Sequence, residues 1–253
     1  MADEREPRDA GSPATLRPAY YAASRTGGWR DWWTLLHPPY TLWHLSYVVI
    51  GACLAPHVRV DRLVATLGAF FLAVGVAAHA LDELHGRPLG TRIASRWLVA
   101  VAALGLGGAV ALGAVGVSRV GWTLVPFIVV GPVLVVAYNV DVGVVHKDVV
   151  FAAAWGAFPV LTAYVAETQR LALAPVLAAI AAFALSAAQR SLSTPARQLR
   201  RRTIEVTGTL TTTEGAEQVI DRRTLLAPLE AALNLLSVSV VLFATALAVA
   251  TLT

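Results

Sequence analysis

The chain is short of charge and of cysteine, and both shortages exclude function classes. Only 14% of its 253 residues are charged, where a soluble domain carries about a quarter. A single cysteine, Cys53, sits in an apolar run. That excludes an intrachain disulfide and any cysteine-built metal cage. Six histidines are too few for the clustered histidine boxes of a desaturase. Residues 1–30 hold four acids and five arginines among Pro, Gly and Ser, with no apolar core segment. A signal peptide is therefore not expected, and the mix reads as a disordered cytoplasmic tail. The basic residues are not interleaved with stacking aromatics. The pI near 9.6 accordingly reads as membrane-orienting charge, and no nucleic-acid partner is expected.

What is present is apolar. Hydrophobic residues make up 57% of the chain and the mean hydropathy is +0.63. Several runs approach the roughly 20 residues that cross a bilayer. The expected architecture is an all-α, polytopic transmembrane bundle of about seven spans. These lie near 39–56, 63–84, 94–117, 120–139, 149–167, 171–189 and 225–251. One alternate set of loops holds Arg87, Arg92, Arg96, Lys147, Arg190, Arg197, Arg200–Arg202, Arg222 and Arg223. The other holds only Arg59, Arg62, Arg119 and Arg170. The positive-inside rule then predicts a multi-pass protein of the cell membrane with its N-terminus inside. Residues 31–253 form the helical domain, with a basic segment and a small hairpin within 190–224. Trp29, Trp32 and Trp33 beside Arg30 and Asp31 suit a short interfacial helix.

Polar residues gather where these runs end, and the crossing count puts three clusters on one face. Ionisable groups at such positions cost free energy, so their convergence predicts a site. The first cluster reads His79-Ala-Leu-Asp82-Glu83-Leu-His85-Gly86-Arg87-Pro88. Helical spacing puts His79, Asp82 and Glu83 on one face. Carboxylates with imidazole suit Mg2+, Mn2+, Fe2+ or Zn2+. The competing reading is a helix end wetted by headgroups, with Asp82 or Glu83 paired to Arg87 or Arg92. The second cluster runs from Tyr138 to Asp148 and offers Asn139, Asp141, His146, Lys147 and Asp148. Asp148 also suits a helix cap. The third is Gln189, Arg190 and Arg197, followed by Arg200–Arg202. Guanidinium groups grip phosphate bidentately, or anchor the chain to anionic lipid. Glu230 and Asn234, one turn apart in the last span, are candidates for the same cavity. His44 suits a hydrogen-bonded packing role, and Pro126, Pro132 and Pro159 predict kinks. Leu104 to Gly108 predicts close helix contact.

This arrangement resembles the UbiA superfamily of intramembrane prenyltransferases over roughly residues 35–190. His37-Pro-Pro-Tyr-Thr-Leu-Trp-His44 and Gly51-Ala-Cys-Leu-Ala55 are similar to that family's first helix. Ala78 to Ile93 falls where the family carries its first Asp-rich motif, Asn-Asp-x-x-Asp, with a downstream Arg-Pro. There His79 replaces the Asn, Glu83 the later Asp, and Arg87-Pro88 matches. The leading Asp of that motif aligns with Ala80, and Asp82 is a displaced neighbour. Tyr138 to Gly156 is similar to the family's loop after helix four, with His146-Lys147 in place of a Lys-Arg pair. The second Asp-rich motif is replaced by Gln189-Arg190, and the family's bundle has more helices than are counted here.

The resemblance implies prenyl transfer or cyclisation of an isoprenoid chain, with Mg2+ on a diphosphate at the cytoplasmic face. Its site residues would be His79, Asp82, Glu83 and Asp141, with Arg190 and Arg197 stabilising the leaving charge. Two other readings stay open. One is a non-haem iron or zinc enzyme acting on a lipid through His79, His85, His146 and carboxylates. The other is a non-enzymatic membrane protein that binds lipid or serves as a scaffold. A transporter is disfavoured, because no repeat of broken helices is evident.

Overall fold

The structure is a computed structural model that describes residues 27–139 and 148–253. Asp141, His146, Lys147 and all but the end of the N-terminal tail lie outside the described residues. A short helix α1, Trp29–Leu36, leads into α2, Pro38–Cys53. Then follow α3, Val60–Leu84, α4, Ser95–Val120, α5, Trp122–Asn139, α6, Asp148–Thr168, and α7, Leu173–Arg201. A hairpin of β1, Gly208–Thr211, and β2, Glu217–Ile220, precedes α8, Arg222–Leu252. Each of α3 to α8 is long and apolar enough to cross a membrane. The first expected span is α2, a shorter helix of 16 residues.

Local chemistry sets the boundaries. His37 adopts a left-handed backbone with φ 48°, closing α1 and turning the chain into α2. Pro38 and Pro39 follow at the first helical positions, where a missing N–H costs nothing. Asp221 caps α8 by accepting from the Thr224 amide at 2.7 Å. The expected hairpin forms with Thr209 opposite Val219, and Gly215 in its turn has φ 79°.

The outer surface stays apolar, with Leu173 and Trp122 73% and 82% exposed. Apolar surface facing lipid gains nothing from burial, so close contact and internal hydrogen bonds must hold such a bundle together. At Gly51 a Cβ would lie 2.2 Å from the Val160 carbonyl oxygen, so α2 and α6 touch backbone to backbone. Gly105 does the same against Leu72 of α3, as the glycine-rich run predicts. The centre holds Trp43, which donates to the Tyr47 hydroxyl at 2.6 Å, and Ser186 of α7 donates to the same oxygen at 3.3 Å.

One helix departs from expectation. α7 does not end near residue 189 but continues to Arg201. Gln, Arg, Leu and Ala are strong helix formers, and the helix carries Pro195 within it. The third polar cluster is therefore helical rather than a loop.

Candidate functional site

Two helices carry wide turns of π-helical geometry, Phe71–Ala78 in α3 and Ala153–Ala157 in α6. Such turns release backbone carbonyls from their usual donors. In α6, Pro159 has no N–H to offer the Trp155 carbonyl four residues earlier. The Nδ1 of His44 donates to that oxygen instead, at 2.9 Å. In α3 the His79 amide turns to the Val76 carbonyl. The His79 ring then donates from Nδ1 to the Gly75 carbonyl at 3.0 Å. Both rings are thus oriented by the main chain.

The extension of α7 adds a third wall. Gln189, Ser193, Arg197 and Arg201 recur every four residues and share one face. These walls enclose a polar cavity of about 600 Å3. His37, Tyr40 and His44 line it from α1 and α2, and His79 and Asp82 from α3. Tyr138 and Asn139 line it from α5, and Phe151 and Trp155 from α6. Gln189, Arg190, Arg197 and Arg201 line it from α7, with Arg202 just beyond. The structure thereby brings residues of all three sequence clusters to one place.

Charge in this cavity is lopsided. Asp82 is the one carboxylate on its described lining, against Arg190, Arg197, Arg201 and Arg202. Arg190 donates from Nε to Asp148 at 2.8 Å and sits 5.1 Å over the Phe151 ring. His37 stacks on Tyr40 and meets His79 edge-on, with ring centroids 5.4 Å apart. Burial first, then His79, Arg201 and Arg197, hold the His37 imidazole well below its usual range, so it is neutral near pH 7. Asn139 donates to the Val135 carbonyl at 2.8 Å.

Other expected site residues are placed elsewhere. Glu83 is fully buried and does not line the cavity. Its carboxylate accepts from the Leu89 and Thr91 amides and from the Thr91 hydroxyl, at 2.8–2.9 Å. Those bonds fold the loop after α3. Arg87, a candidate from the Arg-Pro match, bonds to the Ile93 carbonyl of the same loop and to the Ser95 hydroxyl at the start of α4. His85 is exposed and donates to the Leu81 carbonyl. Glu230 faces Arg200 rather than the cavity, and two hydrogen bonds of 2.5 and 2.6 Å join α8 to α7. Asn234 is exposed on α8 and outside the cavity lining.

Of the candidate metal ligands, His79 and Asp82 line the cavity and Asp148 pairs with Arg190 at its wall, whereas Glu83 and His85 do not line it. Among the described residues no group of three or more His, Cys, Asp or Glu is placed to hold a metal ion. Glu83 accepts from main-chain donors and the His85 ring bonds to the Leu81 carbonyl, while His79 and Asp82 both line the cavity.

Sequence reasoning missed His37, Tyr40, Phe151 and Trp155 as cavity residues. The signal available was Pro159, whose missing donor ties His44 to Trp155. It also missed Asp31, which is buried and accepts from the Gly27 and Arg92 amides. The bond from Arg92 moors the tryptophan-bearing α1 to the loop after α3.

A second cavity, of about 130 Å3, lies between α3, α4, α5 and α6. Phe70, Gly113, Phe127, Ile128 and Phe158 line it, and Trp155 lines both cavities. No protein-family model matches the chain, and neither a curated protein nor a solved structure matches it.

Proposed function

We propose that the chain is a divergent UbiA-like intramembrane enzyme that binds an isoprenoid diphosphate, or a lipid of the same shape and charge, and transfers or cyclises its chain. The observation that carries this reading is the convergence of three clusters, far apart in sequence, on one arginine-rich cavity beside an apolar one. The anionic head would sit against Arg190 and Arg197, and the chain would pass Trp155 into the apolar cavity. Guanidinium groups bind phosphate oxygens in pairs and remain charged at all relevant pH values. They would also stabilise the charge that grows on a departing diphosphate. The bias of arginine toward this end of the bundle supports a cytoplasmic site with the N-terminus inside.

A second reading has an observation of its own. Glu83, Arg87 and Glu230 serve the fold, which favours a lipid-binding protein without turnover.

One experiment separates them. The protein in nanodiscs would be titrated with geranylgeranyl diphosphate, with and without Mg2+ and in the presence of an apolar phenol as chain acceptor, while released pyrophosphate is followed. Saturable binding with pyrophosphate release supports the enzyme. Saturable binding without release supports the second reading. Arg190→Gln and Arg197→Gln are each expected to weaken binding about tenfold or more. Absence of saturable binding overturns both.

A further inference from the structure

We infer that His44, His79 and Gln189 form a subsite for a neutral hydroxyl group within the polar cavity, apart from the arginines that take the anionic head. The inference rests on reading this cavity as a ligand site. A carbonyl oxygen only accepts, so the bonds to Trp155 and Gly75 require the proton of each imidazole on Nδ1. A neutral imidazole carries one N–H, and each Nε2 is therefore an acceptor. Among the described residues no protein group donates to either Nε2, although both rings line the cavity.

Gln189 adds a third acceptor. Only 6% of it is exposed, it lines the same cavity, and among the described residues its Oε1 has no hydrogen-bond partner. A buried acceptor without a donor costs free energy, which a ligand's donor would relieve. Charge selects the donor. An ammonium would be repelled by Arg190, Arg197 and Arg201, and an ionised carboxylate or phosphate brings no proton to share. A neutral hydroxyl satisfies the acceptors without meeting either cost. The ligand class is thus a hydroxyl-bearing apolar molecule, placed as a second occupant beside the anionic one.

The test uses the full chain in nanodiscs with 15N-labelled histidine. Single His→Gln variants assign the resonances. The probes are n-decanol and decyl methyl ether, which has the same oxygen but no donor. The expected result is Nδ1–H imidazoles at positions 44 and 79, with Nε2 resonances that move on adding decanol and stay still with the ether. Decanol should bind about tenfold more tightly than the ether, as one or two hydrogen bonds allow. Nε2–H tautomers at these positions, or equal responses to the two probes, would overturn the inference. Inorganic pyrophosphate, titrated into the same sample, reads the arginine end separately. Loss of that binding would count against the proposed function and leave the imidazole result standing.

Discussion

His44 and Pro159 are each unremarkable in the sequence, one suited to packing and the other to a kink. Together they make a device. The proline removes a helical donor, and the histidine replaces it and is thereby aimed into the cavity. Sequence spacing cannot show this, because the partners lie on different helices. Glu83 teaches the converse. Its spacing from His79 suggests a shared catalytic face, yet its carboxylate closes a loop. The Gly-Arg-Pro run that follows was visible, but not that Leu89 and Thr91 return their amides to Glu83. Glu83→Ala should therefore lower thermal stability, by about 2–3 kcal/mol for charge-assisted bonds lost in a buried setting. The folded fraction should keep its ligand affinity, which calorimetric titration beside a melting curve will show.

A pH prediction also belongs to single residues. The folded-state pKa of His37 lies below the ordinary imidazole value of 6.5. The unfolded chain then binds a proton first as pH falls. This contribution is complete above about 6.5 and declines below it. Melting curves of the wild type and His37→Gln should converge as pH drops from 7 toward 5. A gap that widens would contradict the assignment.

Among the elements, α7 decides the site. Composition marked where its apolar part ends, and the helix runs on through Pro195 to Arg201. That extension carries Arg197 and Arg201 over the cavity and turns Arg200 toward α8. Glu230 was legible as an anomaly, an acid in an apolar helix. Its partner was not legible, because the rotation of α7 against α8 comes from packing. The two side chains are only 15% and 19% exposed. A double-mutant cycle on Arg200→Ala and Glu230→Ala should give a coupling of about 1–3 kcal/mol. The single variants should cost more than the pair, since each leaves a half-buried charge alone. Gly51 makes a second prediction at this scale. Gly51→Val would push α2 off the Val160 carbonyl, and the purified protein should aggregate or melt early.

For the molecule as a whole, the six long apolar helices were readable from hydropathy alone. What hydropathy could not supply was the split between residues that face the cavity and residues that hold the fold. That split depends on helix rotation, and the two π-helical turns alter rotation locally. The central claim is that an anionic amphiphile lies with its head among the arginines and its chain past Trp155. Photo-crosslinking with a benzophenone-tipped prenyl diphosphate, mapped by peptide mass spectrometry, tests it directly. Adducts should fall on α5 and α6 around Phe127, Trp155 and Phe158, and excess pyrophosphate should abolish them. Adducts scattered over the lipid-facing surface of α8, or unaffected by pyrophosphate, would contradict it.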